Sequence, residues 1–234
     1  MKNNSLALSV YQKIKTSILS LEYPPEAILQ ERVLADSLGV SRTPVREALH
    51  RLSQEGWLKI HARKNIQVRS VSVEDLKEIF QVRRTLETAM LNLIFNAKLH
   101  RQAADVMSEH ISQMKDSMDN LYSFISSDQN FHSANFSVFG NVRFQKFWNA
   151  ISEEMIWLGV MAMAAGKERF PRVLADHSAF CSAVRNGQRR EAKKALLAHL
   201  DDTELILHKR MVAMDQALYD KKCPNPERRK RKNS

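Results

Sequence analysis

Cysteine is nearly missing from this chain. Its 234 residues hold two, Cys181 and Cys223, too few for a disulfide framework and without the paired spacing of a thiolate metal site. Glycine and proline number six each, which excludes collagen-like and Pro/Gly-rich low-complexity chains. The longest apolar run, residues 156–166, is too short to span a bilayer. The N-terminal segment carries Lys2, Lys13 and Lys15 but lacks the apolar centre of a secretory signal. No P-loop, nucleophile elbow or dinucleotide-binding glycine motif occurs. These absences point to a reducing cytoplasm, no membrane partner and no enzyme of the common motif-bearing classes.

What is present is ordinary in amount and uneven in placement. Hydrophobic residues make up 44% and charged residues 26%, as in a soluble globular protein. The net charge is +10, yet residues 71–220 are balanced, with 18 basic and 19 acidic side chains. Residues 1–70 hold 11 basic against 6 acidic, and residues 221–234 hold 7 against 1. A basic N-terminal segment beside a neutral body suits a polyanion reader joined to something else. The divisions follow the charge: residues 1–70, residues 71–220 and a basic tail at 221–234, expected to be disordered around Pro224, Pro226 and RRKRK.

In the first 70 residues, Leu6, Val10, Ile14 and Ile18 recur at helical spacing, and Pro24-Pro25 stops that helix. A short helix over residues 30–38 ends at Gly39. Ser41 then caps a third helix that carries Pro44 in its first turn. Two alternating segments, residues 57–61 and 66–69, flank residues 62–65 as a β-hairpin. Three helices, a tight turn and a hairpin describe a winged helix-turn-helix. The third helix places Arg42, Thr43 and Arg46 near its N-terminus, off the face used by Val45, Leu49 and Leu52, where they can meet base edges and phosphate. The hairpin tip, Arg63-Lys64, is placed to reach the DNA backbone or minor groove.

Residues 71–220 show helical patterns only, at about 72–97, 101–119, 121–138, 142–165, 172–186 and 188–219. Ser72 and Asp75 form a capping-box pattern. The whole chain is therefore mostly α: a winged helix-turn-helix followed by an all-helical antiparallel bundle. In the bundle, Asp128 and His132 are four apart and share a helix face. His177 and His199 lie mid-helix among apolar neighbours, and a buried imidazole needs a partner. Two readings stand at this point. These are core histidines satisfied by hydrogen bonds, or the four residues hold a divalent metal with positions open to a ligand. A metallohydrolase would need an acid/base group beside the metal, for which Glu87 is a candidate.

The segment ERVLADSLGVSRTPVREALHRLSQEGWLKI, with IFQVRRTLE, DQNFHSANF, DHSAFCSAV and LLAHL, resembles the GntR family of bacterial transcription regulators, in its FadR-like subgroup with an FCD ligand-binding domain. The resemblance implies DNA contacts at Arg32, Arg42, Thr43 and Arg46. It implies a metal on Asp128, His132, His177 and His199, with zinc first and nickel or manganese as alternatives. It also implies a homodimer on a pseudo-palindromic double-stranded operator, released by a small effector, often a carboxylate. The opening signature around Arg83 and the Asn141 position mark effector contacts. Arg83 shares a helical stripe with Ile79, Leu86 and Met90, so it is expected to enter the pocket and pair with an acid group. Two departures stand out. LEYPPE at residues 21–26 lacks the family's usual glycines, and the hairpin has Arg63 and Asn65 where glycine is common.

Overall fold

The computed structural model describes residues 2–61, 65–164 and 168–222. The chain opens with α1 (Lys2–Leu19), which buries Val10, Ile14 and Ile18. This helix stops before the proline pair, where Leu21 takes a left-handed φ of 65°. The second helix, α2 (Glu31–Leu38), is closed by Gly39. That glycine has φ 65°, and its N–H turns back to the carbonyls of Ala35 and Asp36. Only a residue free of Cβ strain enters this conformation cheaply, which fixes the tight turn.

The third helix, α3 (Arg42–Gln54), buries Val45, Ala48, Leu49 and Leu52. Ser41 stands at its N-cap with extended backbone, but its hydroxyl caps nothing, contrary to expectation. Pro44, the third helical residue, offers no N–H, so one of the two donors an N-cap hydroxyl can reach is missing.

The wing is an antiparallel hairpin of β2 (Leu58–Ile60) and β3 (Ile66–Val68), with Leu58 opposite Val68 and Ile60 opposite Ile66. A further strand, β1 (Ile28–Leu29), pairs along the other edge of β3, so the sheet order is β1-β3-β2. Two residues cannot display alternation, so this strand leaves no sequence signal. The wing tip residues Arg63 and Lys64 lie outside the described residues, as does the tail from 223.

Six helices follow: α4 (Val73–Asn96), α5 (His100–Asp116), α6 (Leu121–Phe139), α7 (Val142–Met163), α8 (Phe170–Arg185) and α9 (Arg189–Lys222). The capping box is present in full. Ser72 Oγ accepts from the Asp75 N–H at 3.1 Å, and Asp75 Oδ2 accepts from the Ser72 N–H at 2.7 Å. The last helix continues through residues 221 and 222, so the start of the basic tail is helical. Among the described residues no strand lies beyond β3, and no helix is long and apolar enough to cross a membrane. Phe80, Leu91, Phe131, Leu158, Val184 and Leu200 anchor the bundle core. A separate core joins α1–α3 and the sheet; Trp157 of α7 is buried in it, and Tyr122 of α6 and Ile156 of α7 pack against it.

Candidate metal centre and nucleic-acid interface

The outward face of α3 carries Arg42, Thr43 and Arg46, because the opposite face supplies the core. Both guanidinium groups converge on Glu31, at the start of α2. Arg46 donates from Nε to Oε1 at 3.1 Å and from Nη2 to Oε2 at 2.8 Å. Arg42 donates from Nη2 to Oε2 at 3.3 Å. The hydrogen bonds from Arg46 hold the Glu31 carboxyl below the usual range. This bidentate pairing restricts the rotamers of two long side chains that remain largely exposed. Nothing in the spacing of Glu31 signalled its role. Arg32 is exposed on α2, 3.9 Å from Asp36.

The bundle brings Asp128 and His132 of α6 together with His177 of α8 and His199 of α9. One ligand atom from each lies within 4.8 Å of all the others. The His177 Nε2 atom is 3.4 Å from His199 Nε2 and 3.4 Å from Asp128 Oδ1. Two donors about 2.1 Å from one shared ion have this order of spacing. All three imidazoles are buried, and His132 Nε2 has no hydrogen-bond partner. Burial first, then the neighbouring His199, His132 and Arg83 charges, push His177 well below the ordinary imidazole value. Burial likewise lowers His199, against the opposing pull of the nearby Asp176 carboxylate. An unpartnered, buried His132 Nε2 beside the closely approaching Nε2 atoms of His177 and His199 fits a metal and makes a poor hydrogen-bonded core.

Of the opposite ring nitrogens, that of His132 is held from outside, while Nδ1 of His177 and of His199 have no hydrogen-bond partner. His132 Nδ1 is 2.7 Å from Glu87 Oε2, and His199 Nδ1 faces Asp176 Oδ2 at 3.9 Å. Such carboxylates select the tautomer that presents Nε2 inward. Glu87 is fully enclosed. Burial alone would raise its carboxyl, but the adjoining His132 and Arg83 outweigh this and hold it down to about 2.

This arrangement corrects three expectations. Arg83 is buried and donates from Nε to Glu87 Oε1 at 2.8 Å; it does not line the cavity beside the cluster. Its own helix supplies a carboxylate one turn away, and that partner captures it. Glu87 in turn has both oxygens engaged, by His132 and Arg83, so it is not free to serve as an acid/base beside a metal-bound water. Asn141 is also elsewhere. It is the N-cap of α7, accepting from the N–H groups of Arg143 at 3.0 Å and Phe144 at 3.3 Å, and it does not line the cavity either.

That cavity, about 40 Å³, adjoins Asp128 and His199 and is otherwise mostly apolar. It has room for a few waters or a small ligand. Met155, Gly159 and Met163 of α7 form part of its wall. Gly159 is required there, since a Cβ would stand 2.8 Å from Cγ2 of Ile125 on α6. The opposite side of α7 touches the winged helix. Lys15 of α1 donates to Glu153 at 2.7 Å and to Glu55 at 3.0 Å. Arg69 pairs with Glu154 and lies over both Trp57 and Trp157, whose rings meet edge-on at 5.6 Å between centroids.

The architecture is that of a DNA-binding module carrying a ligand-sensing bundle. Residues 6–68 match the model of the bacterial regulatory proteins of the gntR family, and residues 78–202 match the FCD domain. The chain belongs to the GntR family of bacterial regulators, with an FCD domain, and is an effector-responsive, DNA-binding transcription regulator. It is 26% identical over 206 residues to the gluconate operon transcriptional repressor of Bacillus subtilis, covering 86% of this chain and 84% of that one. It is 24% identical over 205 residues to the HTH-type transcriptional regulator YdhC of Bacillus subtilis, covering 86% and 91%. A solved structure described as a GntR transcriptional regulator from Rhodococcus sp. RHA1 shares the fold, with a TM-score of 0.74 at 22% identity, covering 87% and 97%.

Proposed function

We propose that this regulator is a cytoplasmic repressor that binds a pseudo-palindromic operator as a homodimer and lets go when a small carboxylate binds beside a divalent metal. Residues 1–70 read DNA through Arg32, Arg42, Thr43 and Arg46, with Arg63 and Lys64 as wing contacts. Residues 71–220 hold the metal and the dimer contact, and residues 221–234 add basic charge. Asp128, His132, His177 and His199 hold the ion, with zinc the first choice and nickel or manganese the alternatives. When bound, the ion supplies a fixed positive charge with open positions for an anionic ligand. Glu87 and Asp176 orient the imidazoles, and Arg83 stabilises Glu87. The signal passes through α7, whose two sides touch the cavity and the winged helix.

The observation that carries this reading is the set of four ligand atoms gathered within 4.8 Å, with His132 Nε2 unpartnered and buried. Metal content by mass spectrometry tests it, comparing wild type with His177→Ala and His199→Ala. The wild type should hold one ion per chain, and each variant should lose it while still binding operator DNA. Full occupancy in His199→Ala, or none in wild type after metal is added, overturns the reading.

A further inference from the structure

The last helix carries the basic end of the chain, and its path fixes where that end leaves the bundle. The FCD match stops at residue 202, yet α9 continues to Lys222. It runs antiparallel to α4. Near its start Arg189 donates to Asn96 Oδ1 at 2.7 Å, at the far end of α4. Further on, Asp201 Oδ1 accepts from Arg84 at 2.7 Å, midway back along α4. Leu207 and Met211 then join the core that contains Leu76, in the first turn of α4. The helix is antiparallel to α8 as well, with His199 beside His177 and Asp202 paired with Arg169, just before α8. The C-terminal half of α9 therefore lies at the end of the bundle where α4 and α8 begin.

The winged helix is mounted on that same end. Val71, just before α4, packs against both cores. Tyr122 at the start of α6, with Ile156 and Trp157 late in α7, reaches the core of the winged helix. Met211 is the last buried side chain of α9 among the described residues. From Met211 to Lys222 the helix advances about 16 Å, at about 1.5 Å per residue. Residues 223–234 have a contour of up to about 40 Å, longer than one turn of a DNA duplex, about 34 Å.

The chemistry of this end is one-sided. Residues 221–234 hold 7 basic side chains against 1 acidic, with an unbroken run from Arg228 to Lys232. They contain no Leu, Ile, Val, Phe, Tyr or Trp, so they offer nothing to insert into a membrane or to bury against an apolar partner. Residues 71–220 are balanced in charge, whereas residues 1–70 are basic. The two basic parts of the chain thus leave the fold at one end, and the polyanion already bound there is DNA.

We propose that residues 221–234 are a second DNA-binding element, an arm that holds the phosphates of the duplex flanking the operator and reads no bases. Phosphate contacts add affinity without sequence information. The arm starts from the bundle, so the phosphates open to it are those that the winged helix leaves uncovered. This deepens the proposed role of residues 221–234 as added basic charge by naming its target. Metal and effector play no part in the test, so the inference and the repressor reading fail separately.

The test uses the full-length protein and a duplex selected from a random pool by the wild type. One form is trimmed to the protected site, and the other keeps about two helical turns of random flank on each side. The variant combines Arg228→Gln, Arg229→Gln, Lys230→Gln, Arg231→Gln and Lys232→Gln. On the flanked duplex, the plot of log affinity against log salt should become shallower by about 4 to 5 per chain, since each phosphate contact contributes about 0.9. The trimmed duplex should show little change, and the preference for the selected sequence over random duplex of equal length should persist. A second variant with residues 223–234 in shuffled order keeps the charge and should keep the wild-type slope. An iron chelate on Cys223, with Cys181 buried in the core, should cut the flanking DNA. An unchanged slope in the glutamine variant overturns the inference, as does a chelate that leaves the flanks uncut. Loss of the preference for the selected sequence overturns it too, because the tail would then read bases or support the fold. Tail-dependent binding to anionic phospholipid vesicles, with the slope on DNA unchanged, would assign the arm to a lipid surface instead.

Discussion

Lys15→Met tests whether the winged helix senses the bundle through α7. The ammonium is 10% exposed and is shared between Glu55 of its own domain and Glu153 of α7. Methionine keeps the aliphatic stem against Tyr11 and Trp57, whose rings now lie 5.2 and 5.5 Å from the nitrogen. The loss is therefore electrostatic. A hydrogen bond to a charged group contributes about 1.5–3 kcal/mol when both partners are enclosed. Here the carboxylates are 30% and 40% exposed and regain water once released, which discounts the figure strongly. The expected cost is about 1–2 kcal/mol, most of it across the α1–α7 contact. Urea denaturation measures that cost. The coupling is read as the ratio of operator affinities with and without divalent metal and acetate, the simplest small carboxylate. In Lys15→Met this ratio should approach one, because the ligand no longer biases the position of α1. A variant with unchanged stability and an unchanged ratio would refute the route through Lys15.

Three further outcomes follow from named contacts. Arg46→Ala should lose about 5- to 150-fold in operator affinity and some discrimination against random duplex, measured by titration of both DNAs; equal losses on both would make Arg46 a phosphate contact. Gly159→Ala should destabilise the bundle by about 1–3 kcal/mol in an unfolding curve, since the new methyl meets Ile125 Cγ2 at 2.8 Å. An unchanged midpoint would mean that α6 and α7 separate without cost. The Glu55 carboxyl is held low by bonds from Tyr11 and Lys15 that outweigh its burial. A lowered folded-state pKa stabilises at pH above the unfolded value, about 4.3, and the contribution fades as pH falls below it. Glu55→Gln should therefore flatten the loss of stability in acid, and parallel acid curves for the two proteins would refute this.

Much of the fold was legible because helices of this length repeat their apolar positions. The six bundle helices fall close to the expected segments, and Gly39 at the end of α2 and Ser72–Asp75 at the start of α4 mark boundaries with local chemistry that needs no tertiary context. The strand β1 was not legible, since its two residues acquire meaning only by pairing with β3. Ser41 shows the converse: a favourable N-cap residue whose hydroxyl is idle, with proline at one of the two positions it could cap. At the candidate metal centre, Asp128 and His132 announce a shared face, and apolar neighbours place His177 and His199 inside. Their convergence from three helices is a tertiary fact that spacing alone cannot supply.

The errors at the site have a common physical source. Arg83 sits on an inward stripe, as expected, but direction within a core does not choose among partners. Glu87, one turn along the same helix, is nearer than any ligand and is buried with it, so the pair closes at 2.8 Å and secures His132 in turn. Arg169 differs in its sequence signal. Between α7 and α8 it has no periodic pattern to mark it, and its Asp202 partner engages Nη2. Both arginines keep a buried donor without a partner, Nη2 of Arg83 and Nε of Arg169. Such unsatisfied capacity becomes countable only once every neighbour is in place.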